Sequence, residues 1–282
     1  MRTFLDYPIK RRLFEVEKFS GKLYYRGNFN EEIFKRSIAI VGTRMMTNYG
    51  KQVVDEFVSE FAAKGITTIS GFMYGVDSEV HKKTIEYGGK TIAIFGNGLD
   101  WVYPSENENL YLQILESGGM VLSEYKKNMK PKLWTYPARN KIVAGLATIG
   151  ILVIEAGLDS GSLITAKIAR QLKKNVWAVP GQINLKSSQG TNFLIQNGFA
   201  KMTTSPSDIL GKSIKVSQVS KENLNDFEAE VYAILERENL SIDEISIKLN
   251  KDVVDVTSCL TMMGLRGMVG ELGGKYYLNK KL

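Results

Sequence analysis

The sequence predicts an α/β protein with two parts, a doubly wound, mostly parallel sheet and a small C-terminal winged helix. From Ser37 to about residue 200, short apolar runs of strand length alternate with longer helical patterns, as in a parallel sheet covered on both faces. Small and polar residues follow these runs, at the edge where such sheets bind ligands. Beyond a stretch rich in serine and lysine, three helical patterns precede a hairpin at Gly273-Gly274.

The elements of the sheet are predicted in chain order. Leu23–Gly27 is predicted as a short strand and turn that precede the alternation. The following strands are predicted at Ser37–Val41, Thr67–Ser70, Thr91–Phe95, Met120–Leu122, Ile149–Ile154 and Val176–Val179. The helices between them are predicted at Lys51–Lys64, Val76–Tyr87, Ser105–Ser117, Pro137–Leu146, Ser162–Leu172 and Thr191–Gln196.

Composition limits the class of protein. The 282 residues carry a net charge of +7, and no apolar run approaches the roughly 20 residues of a membrane span. The N-terminus has no apolar core of the signal-peptide type. Cys259 is the only cysteine, which excludes an intrachain disulfide, and His81 is the only histidine, which excludes zinc sites built from several His or Cys residues. We therefore expect a cytoplasmic protein with no membrane partner and no metal.

A basic segment with aromatic residues precedes the fifth strand of the alternation. Trp134 and Tyr136 lie among its charges, and it contains no acidic residue. Cations that neutralise phosphates, with flat rings that stack on unpaired bases, suit single-stranded nucleic acid. The alternative is a solvated basic loop, since many charge runs are no more than that. The six basic residues are Lys126, Lys127, Lys130, Lys132, Arg139 and Lys141.

A second anion-binding feature follows that strand. Ser160-Gly161-Ser162 opens the next helix, where unpaired N–H groups and the helix dipole attract anions. Arg44 follows the Gly42-Thr43 turn and is placed to reach a phosphate at the same sheet edge. No GxGxxG follows the first strand and no P-loop sequence occurs, so we expect no dinucleotide or nucleoside-triphosphate cofactor.

Charge is unevenly distributed along the chain. Residues 1–224 hold 30 basic and 20 acidic side chains, whereas residues 225–282 hold 7 and 10. An anionic partner is therefore expected on the N-terminal part, and a protein-contact or regulatory role on the C-terminal part. The predicted domains are an N-terminal extension packed on the sheet domain (1–36), the sheet domain (37–205), a linker (206–225) and the winged helix (226–282).

A series of motifs occurs in a fixed order along the chain. Its residues are Ala39–Arg44, Ser70-Gly71 with Gly75–Asp77 and His81, Gly96–Gly98 with Tyr103-Pro104, Ser123–Tyr125, Pro137–Lys141 with Ala144–Leu146, Glu155-Ala156 with Ser160–Ala166, Ala178–Gly181, and Gly190–Asn192 with Leu194-Ile195. The series resembles the DprA/Smf family of DNA-processing proteins, and the resemblance covers about residues 20–200 and, more weakly, the winged helix. The sequence departs from the family pattern at Met73 and Tyr74, where smaller residues are usual, and at Lys141, where arginine is common.

The resemblance implies an extended Rossmann-like domain that binds single-stranded DNA as a homodimer. It further implies a role in protecting incoming DNA and delivering it to the RecA recombinase during natural transformation, without catalysis. Tyr136 or Trp134 is a candidate to stack on a base. The residues expected to bind DNA or its phosphates are Gly42, Thr43, Arg44, Ser70, Gly71, Tyr136, Arg139, Asn140, Lys141, Ser160, Gly161, Ser162 and Thr165.

An enzyme is the alternative hypothesis. Related Rossmann-like phosphoribohydrolases cleave the N-glycosidic bonds of nucleotides and need a carboxylate close to the sugar, for which Glu155 is the candidate. Such an enzyme needs neither the basic segment nor a winged helix, so these features favour DNA binding. Under the DNA-binding hypothesis, Glu155 is expected to orient Arg139 or Arg44.

Overall fold

The computed structural model describes residues 2–4, 22–211 and 224–278 of a chain that forms two compact units, residues 1–211 and 212–282. Within these residues, the first unit contains one nine-stranded sheet. Its strands are β1 (Arg2–Phe4), β2 (Leu23–Gly27), β3 (Ser37–Val41), β4 (Thr67–Ser70), β5 (Thr91–Ile94), β6 (Met120–Ser123), β7 (Gly150–Val153), β8 (Asn175–Ala178) and β9 (Lys201–Met202).

The sheet confirms the predicted doubly wound, mostly parallel topology. Its strand order is β1-β2-β6-β5-β4-β3-β7-β8-β9, and all neighbours from β6 to β9 are parallel. β2 runs antiparallel to both β1 and β6, which adds two strands at one edge. Because β4 and β8 lie on opposite sides of the β3–β7 pair, the direction of winding reverses between β3 and β7.

Helices cover both faces of this sheet. Alternate residues of β3 point to opposite layers: Ile38 and Ile40 belong to a cluster with Phe57, whereas Ala39 and Val41 belong to a cluster with Ile142. A strand buried on both faces in this way has the continuous apolar sequence that predicted it. The helices of this unit are α1 (Asn48–Ala63), α2 (Val76–Glu86), α3 (Glu108–Glu116), α4 (Thr135–Leu146), α5 (Gly161–Gln171), α6 (Lys186–Gln196) and α7 (Ser207–Leu210).

Most helix boundaries differ from the sequence-based expectation by at most three residues, and two boundaries differ by more. Helix α6 begins at Lys186 rather than Thr191, because its first turn (Lys186-Ser187-Ser188) is polar and lacks helical apolar spacing. The linker expected from residue 206 begins later, because α7 forms there and Ile209 and Leu210 pack against one of the core clusters. The rest of that linker, residues 212–223, lies outside the described residues.

The second unit contains the elements of the predicted winged helix. Three helices, α8 (Asp226–Leu235), α9 (Ile242–Leu249) and α10 (Val253–Leu265), precede an antiparallel pair, β10 (Val269–Leu272) and β11 (Lys275–Leu278). The predicted capping box at α9 forms, since Ser241 accepts from the Glu244 amide and the Glu244 carboxylate accepts from the Ser241 amide. Assignment of this unit to the winged-helix class stays a prediction.

Membrane insertion is not indicated by any element that the structure describes, because none of its helices combines the length and apolarity of a transmembrane span.

A buried polar network connects α2 to the sheet. The His81 Nδ1 lies 2.6 Å from the Thr91 hydroxyl, which in turn accepts from Thr68 at 2.8 Å. The His81 Nε2 is buried and has no hydrogen-bond partner among the described residues. Burial, together with the positive charge of Arg139, lowers the pKa of His81 from 6.5 to about 3, so the ring is neutral at physiological pH.

We predict an acid sensitivity that depends on His81. Because the unfolded chain binds the proton at about pH 6.5 and the folded chain only near pH 3, stability falls as the pH drops between these values, by about 1.4 kcal/mol per pH unit. Urea unfolding followed by tryptophan fluorescence reports the first unit, because Trp101, Trp134 and Trp177 all lie in it. From pH 6.5 to pH 5 the parent should lose about 2 kcal/mol more than His81→Leu. Equal losses would contradict the assignment.

Candidate nucleic-acid interface

The candidate site lies where the carboxyl ends of β3 and β7 meet. The Thr43 amide, just after β3, donates to the Glu155 carbonyl, just after β7, at 2.6 Å. A cavity of about 700 Å³ opens here, within the roughly 300–1,000 Å³ typical of small-molecule sites. Its lining residues are Val41, Gly42, Thr43, Arg44, Met45, Gly71, Met73, Tyr74, Asp77, Tyr136, Pro137, Arg139, Asn140, Val143, Gly157, Asp159, Ser160, Gly161, Ser162, Ile164, Thr165, Lys186 and Ser187.

Arg44 is an exposed cation at the rim of this cavity. It makes no hydrogen bond or ion pair with any other residue that the structure describes. Its loop is held in place by Gly75, which has a φ of 72° and packs so closely that a Cβ would lie 2.3 Å from the Thr43 carbonyl oxygen. Only glycine fits this position, so the Arg44 charge is presented from a rigid turn.

The N-terminus of α5 forms another part of the wall. Ser160 caps the helix by accepting from the Ser162 amide, and the two hydroxyls lie 2.8 Å apart. The first turn of α5 holds no acidic residue that would neutralise the positive end of the helix dipole. Asn140 donates to the Gly161 carbonyl at 3.1 Å and so fixes α4 against this turn. The wall therefore offers N–H and hydroxyl groups to an anion.

Arg139 is buried, which corrects its expected role as a direct phosphate contact. Its Nη1 donates to the Ile94 carbonyl at 2.6 Å, and its charge faces the buried carboxyl of Asp77. Burial raises the pKa of Asp77 and lowers the pKa of Arg139, and their mutual attraction opposes both shifts. The Ser70 hydroxyl lies 2.9 Å from Asp77 and is fully buried, so Ser70 does not line the cavity.

Lys141 and Tyr136 also differ from expectation. The Lys141 ammonium is paired with Glu124 at 3.0 Å, and both side chains are largely buried, so Lys141 does not reach the cavity. The Tyr136 ring is only 8% exposed and packs against Tyr103, with ring centroids 5.8 Å apart. A ring enclosed in this way offers no face to a base.

Glu155 does not orient an arginine, contrary to the expectation from sequence. One carboxylate oxygen accepts from the Thr47 amide at 2.9 Å and the other from the Thr47 hydroxyl at 2.6 Å. Thr47 is the N-cap of α1, and its hydroxyl also accepts from the Gly50 amide at 3.2 Å. Glu155 therefore anchors the start of α1 beneath the cavity.

The basic segment divides into two sets of cations. Arg139 lies on the buried face of helix α4, and the Lys141 ammonium is paired with Glu124. The remaining four lysines, Lys126, Lys127, Lys130 and Lys132, are exposed. Trp134 follows them with 60% of its side chain exposed. The exposed half of the segment therefore combines positive charge with an accessible ring.

Twelve of the 23 residues that line the cavity were not expected from the sequence, and they include an aromatic residue, Tyr74, and a cation, Lys186. Tyr74 lies in the turn after β4, and Lys186 is the exposed first residue of α6. Tyr74 could have been predicted, because it follows the end of a strand as the other expected residues do. Lys186 could not, because its place in the cavity wall depends on the first turn of α6, which the sequence did not predict. Eleven of the thirteen expected residues line the cavity, all except Ser70 and Lys141.

Fold and site together define a Rossmann-like protein with a cavity at the point where the sheet winding reverses, lined by an exposed arginine and by the N-terminus of α5. The sequence model of the family described as DNA recombination-mediator protein A matches residues 2–213. The chain belongs to this family, known as DprA/Smf, and the resemblance seen in the sequence is confirmed.

Relatives and solved structures agree with this placement. Protein Smf of Escherichia coli (strain K12) is 35% identical over 199 residues, 71% of this chain and 52% of that protein. DNA processing protein DprA of Streptococcus pneumoniae is 38% identical over 67% of this chain and 66% of the relative. This chain therefore spans about half the length of the E. coli relative.

Two solved structures share the fold. The X-ray structure of DprA from S. pneumoniae has a TM-score of 0.67 and 36% identity, and the match covers 76% of this chain and 75% of that one. DNA processing protein A from Helicobacter pylori has a TM-score of 0.66 and 29% identity, over 73% of this chain and 92% of that one, and its structure concerns that protein's single-stranded DNA binding mode.

Removal of the Glu155 carboxylate should destabilise the first unit. Glu155→Ala leaves the half-buried amide and hydroxyl of Thr47 without their carboxylate acceptor, which should cost about 1.5–3 kcal/mol of unfolding free energy. Tryptophan-detected urea unfolding measures this loss. Asp159→Ala is the matched control, since Asp159 is an exposed carboxylate in the same cavity, and it should change stability by less than about 0.5 kcal/mol. A Glu155→Ala variant as stable as the control would rule out the anchoring role.

Proposed function

We propose that this chain binds single-stranded DNA in the cavity at the carboxyl ends of β3 and β7, and that it acts as a recombination mediator without catalysis. The observation that carries the proposal is the position of Arg44, an exposed and unpaired cation at the rim of a cavity whose wall includes the N-terminus of α5. Lys186 and the four exposed lysines of the basic segment extend the positive surface. The single-stranded DNA binding of the H. pylori relative supports the same ligand.

Family membership supports a proposal for the biological role. We propose that the chain protects incoming DNA in the cytoplasm and helps to load RecA during natural transformation, as a homodimer formed through the Rossmann-like domain. Binding without catalysis is supported by Glu155, whose two carboxylate oxygens both accept from Thr47. A phosphoribohydrolase would need that carboxylate beside a sugar.

Arg44→Ala should weaken binding of oligo-dT. Loss of a charge-assisted phosphate contact should cost about 1.5–3 kcal/mol. It should also reduce the slope of log K against log salt by about 0.7, the value for one phosphate of a single strand. Fluorescence anisotropy with labelled oligo-dT over a salt series measures both quantities.

Lys82→Ala is the matched control for Arg44→Ala. Lys82 is an exposed cation on α2 that does not line the cavity, so its removal changes the net charge equally and should leave affinity nearly unchanged. If both variants bind like the parent, or both weaken alike, the cavity is not the binding site.

The C-terminal unit is proposed as a protein-contact module. Helix α10 contains no basic residue, and its Thr257, Ser258 and Thr261 hydroxyls donate to carbonyls one turn earlier. Its exposed face therefore offers mainly apolar groups, including Val254 and Leu265, and no cation for a phosphate.

Deletion of residues 225–282 should leave oligo-dT affinity nearly unchanged. The deleted segment has an excess of acidic residues, and its apolar cluster consists of its own residues, so the sheet unit should remain folded. The unfolding profile, followed by tryptophan fluorescence, verifies folding. A tenfold loss of affinity in a folded truncation would place part of the DNA site in the C-terminal unit.

A further inference from the structure

Tyr74 presents an aromatic ring in the wall of the cavity. It lies in the turn after β4, and 41% of its side chain is exposed. Its hydroxyl donates to the Glu106 carboxylate at 2.9 Å, which fixes the edge of the ring. A half-exposed ring whose edge is held by a hydrogen bond can stack on a flat partner with little loss of side-chain conformational entropy.

The backbone places this ring beside the Arg44 loop. The next residue, Gly75, packs against the Thr43 and Arg44 carbonyl oxygens, and the Val76 amide donates to Thr43 at 3.2 Å. On the other side, the Phe72 ring is buried against Phe95, with centroids 4.8 Å apart. The turn that carries Tyr74 is therefore held from both sides, and the ring and the cation share one rigid frame.

The cavity is larger than a phosphate requires. Its volume of about 700 Å³ is that of a site for a small organic molecule. Tyr136 is one of the lining residues, and although its ring is enclosed, its hydroxyl is buried with no hydrogen-bond partner among the described residues. A buried polar group without a partner is uncommon in native proteins, and a ligand that enters the cavity is one means of satisfying it.

We propose that the cavity binds a whole nucleotide unit, with its phosphate at Arg44 and its base stacked on Tyr74. The inference rests on the proposed function, since it assumes that single-stranded DNA is the ligand. It assigns to Tyr74 the base contact that the sequence had suggested for Tyr136.

The test compares oligo-dT with an abasic oligonucleotide of the same length, which has the phosphates but no bases. Tyr74→Ala should bind oligo-dT roughly 5- to 150-fold more weakly, the equivalent of one lost base stack. It should bind the abasic strand like the parent. Tyr74→Phe keeps the ring and should remain within about threefold of the parent on both strands, given that the lost hydrogen bond only orients the ring.

Tyr87→Ala provides a closely matched control. Tyr87 is also 41% exposed, and its hydroxyl donates to the Asp55 carboxylate at 2.9 Å, but it does not line the cavity. It should bind both strands like the parent. If Tyr74→Ala binds oligo-dT as tightly as the parent, or weakens on both strands alike, the stacking role is wrong while the proposed function stands. If the parent binds neither strand, the proposed function itself fails.

Discussion

The hydrogen bond between the Thr43 amide and the Glu155 carbonyl joins the two strand ends on which the site is built. It joins the ends of β3 and β7. From these two strands the chain continues to β4 on one side of the pair and to β8 on the other. The Glu155 carboxylate also accepts two hydrogen bonds from Thr47, the N-cap of α1. The turn between β3 and α1 is therefore fixed at both ends. Arg44 projects from that turn. Its position is thus set by a buried carboxylate that never touches the ligand cavity.

The cations around the site differ in what they can do because they differ in burial. A buried charge must be compensated within the fold, and Arg139 meets that need through Asp77 and the Ile94 carbonyl. Arg44 and Lys186 remain in contact with solvent, and they lose little hydration before a phosphate arrives. Under the proposed function, the contacts with phosphates are therefore made by the exposed cations.

The sheet could be predicted almost completely from the sequence, whereas the site could be predicted only in outline. The predicted strands from β3 to β8 differ from the observed ones by at most one residue at each end, because burial on both faces leaves continuous apolar runs. β1 and β9 were missed, since strands of three and two residues carry no periodicity. The cavity wall was found from the polar residues at strand ends, but Arg139 and Lys141 look in sequence like any other cations. Their burial depends on the helical phase of α4, which is a tertiary property.

Under the proposed function, the choice between single and double strands must come from the rings and not from the cations. Phosphates are present on both kinds of DNA, so Arg44 and the lysines attract either one. In a duplex the base faces are already stacked on each other and are inaccessible to a protein ring, whereas a single strand can expose them. Trp134 follows the exposed lysines, and Tyr74 lies beside Arg44, so each ring accompanies a cation. A phosphate and its own base can then be bound together, which a duplex cannot offer without being opened.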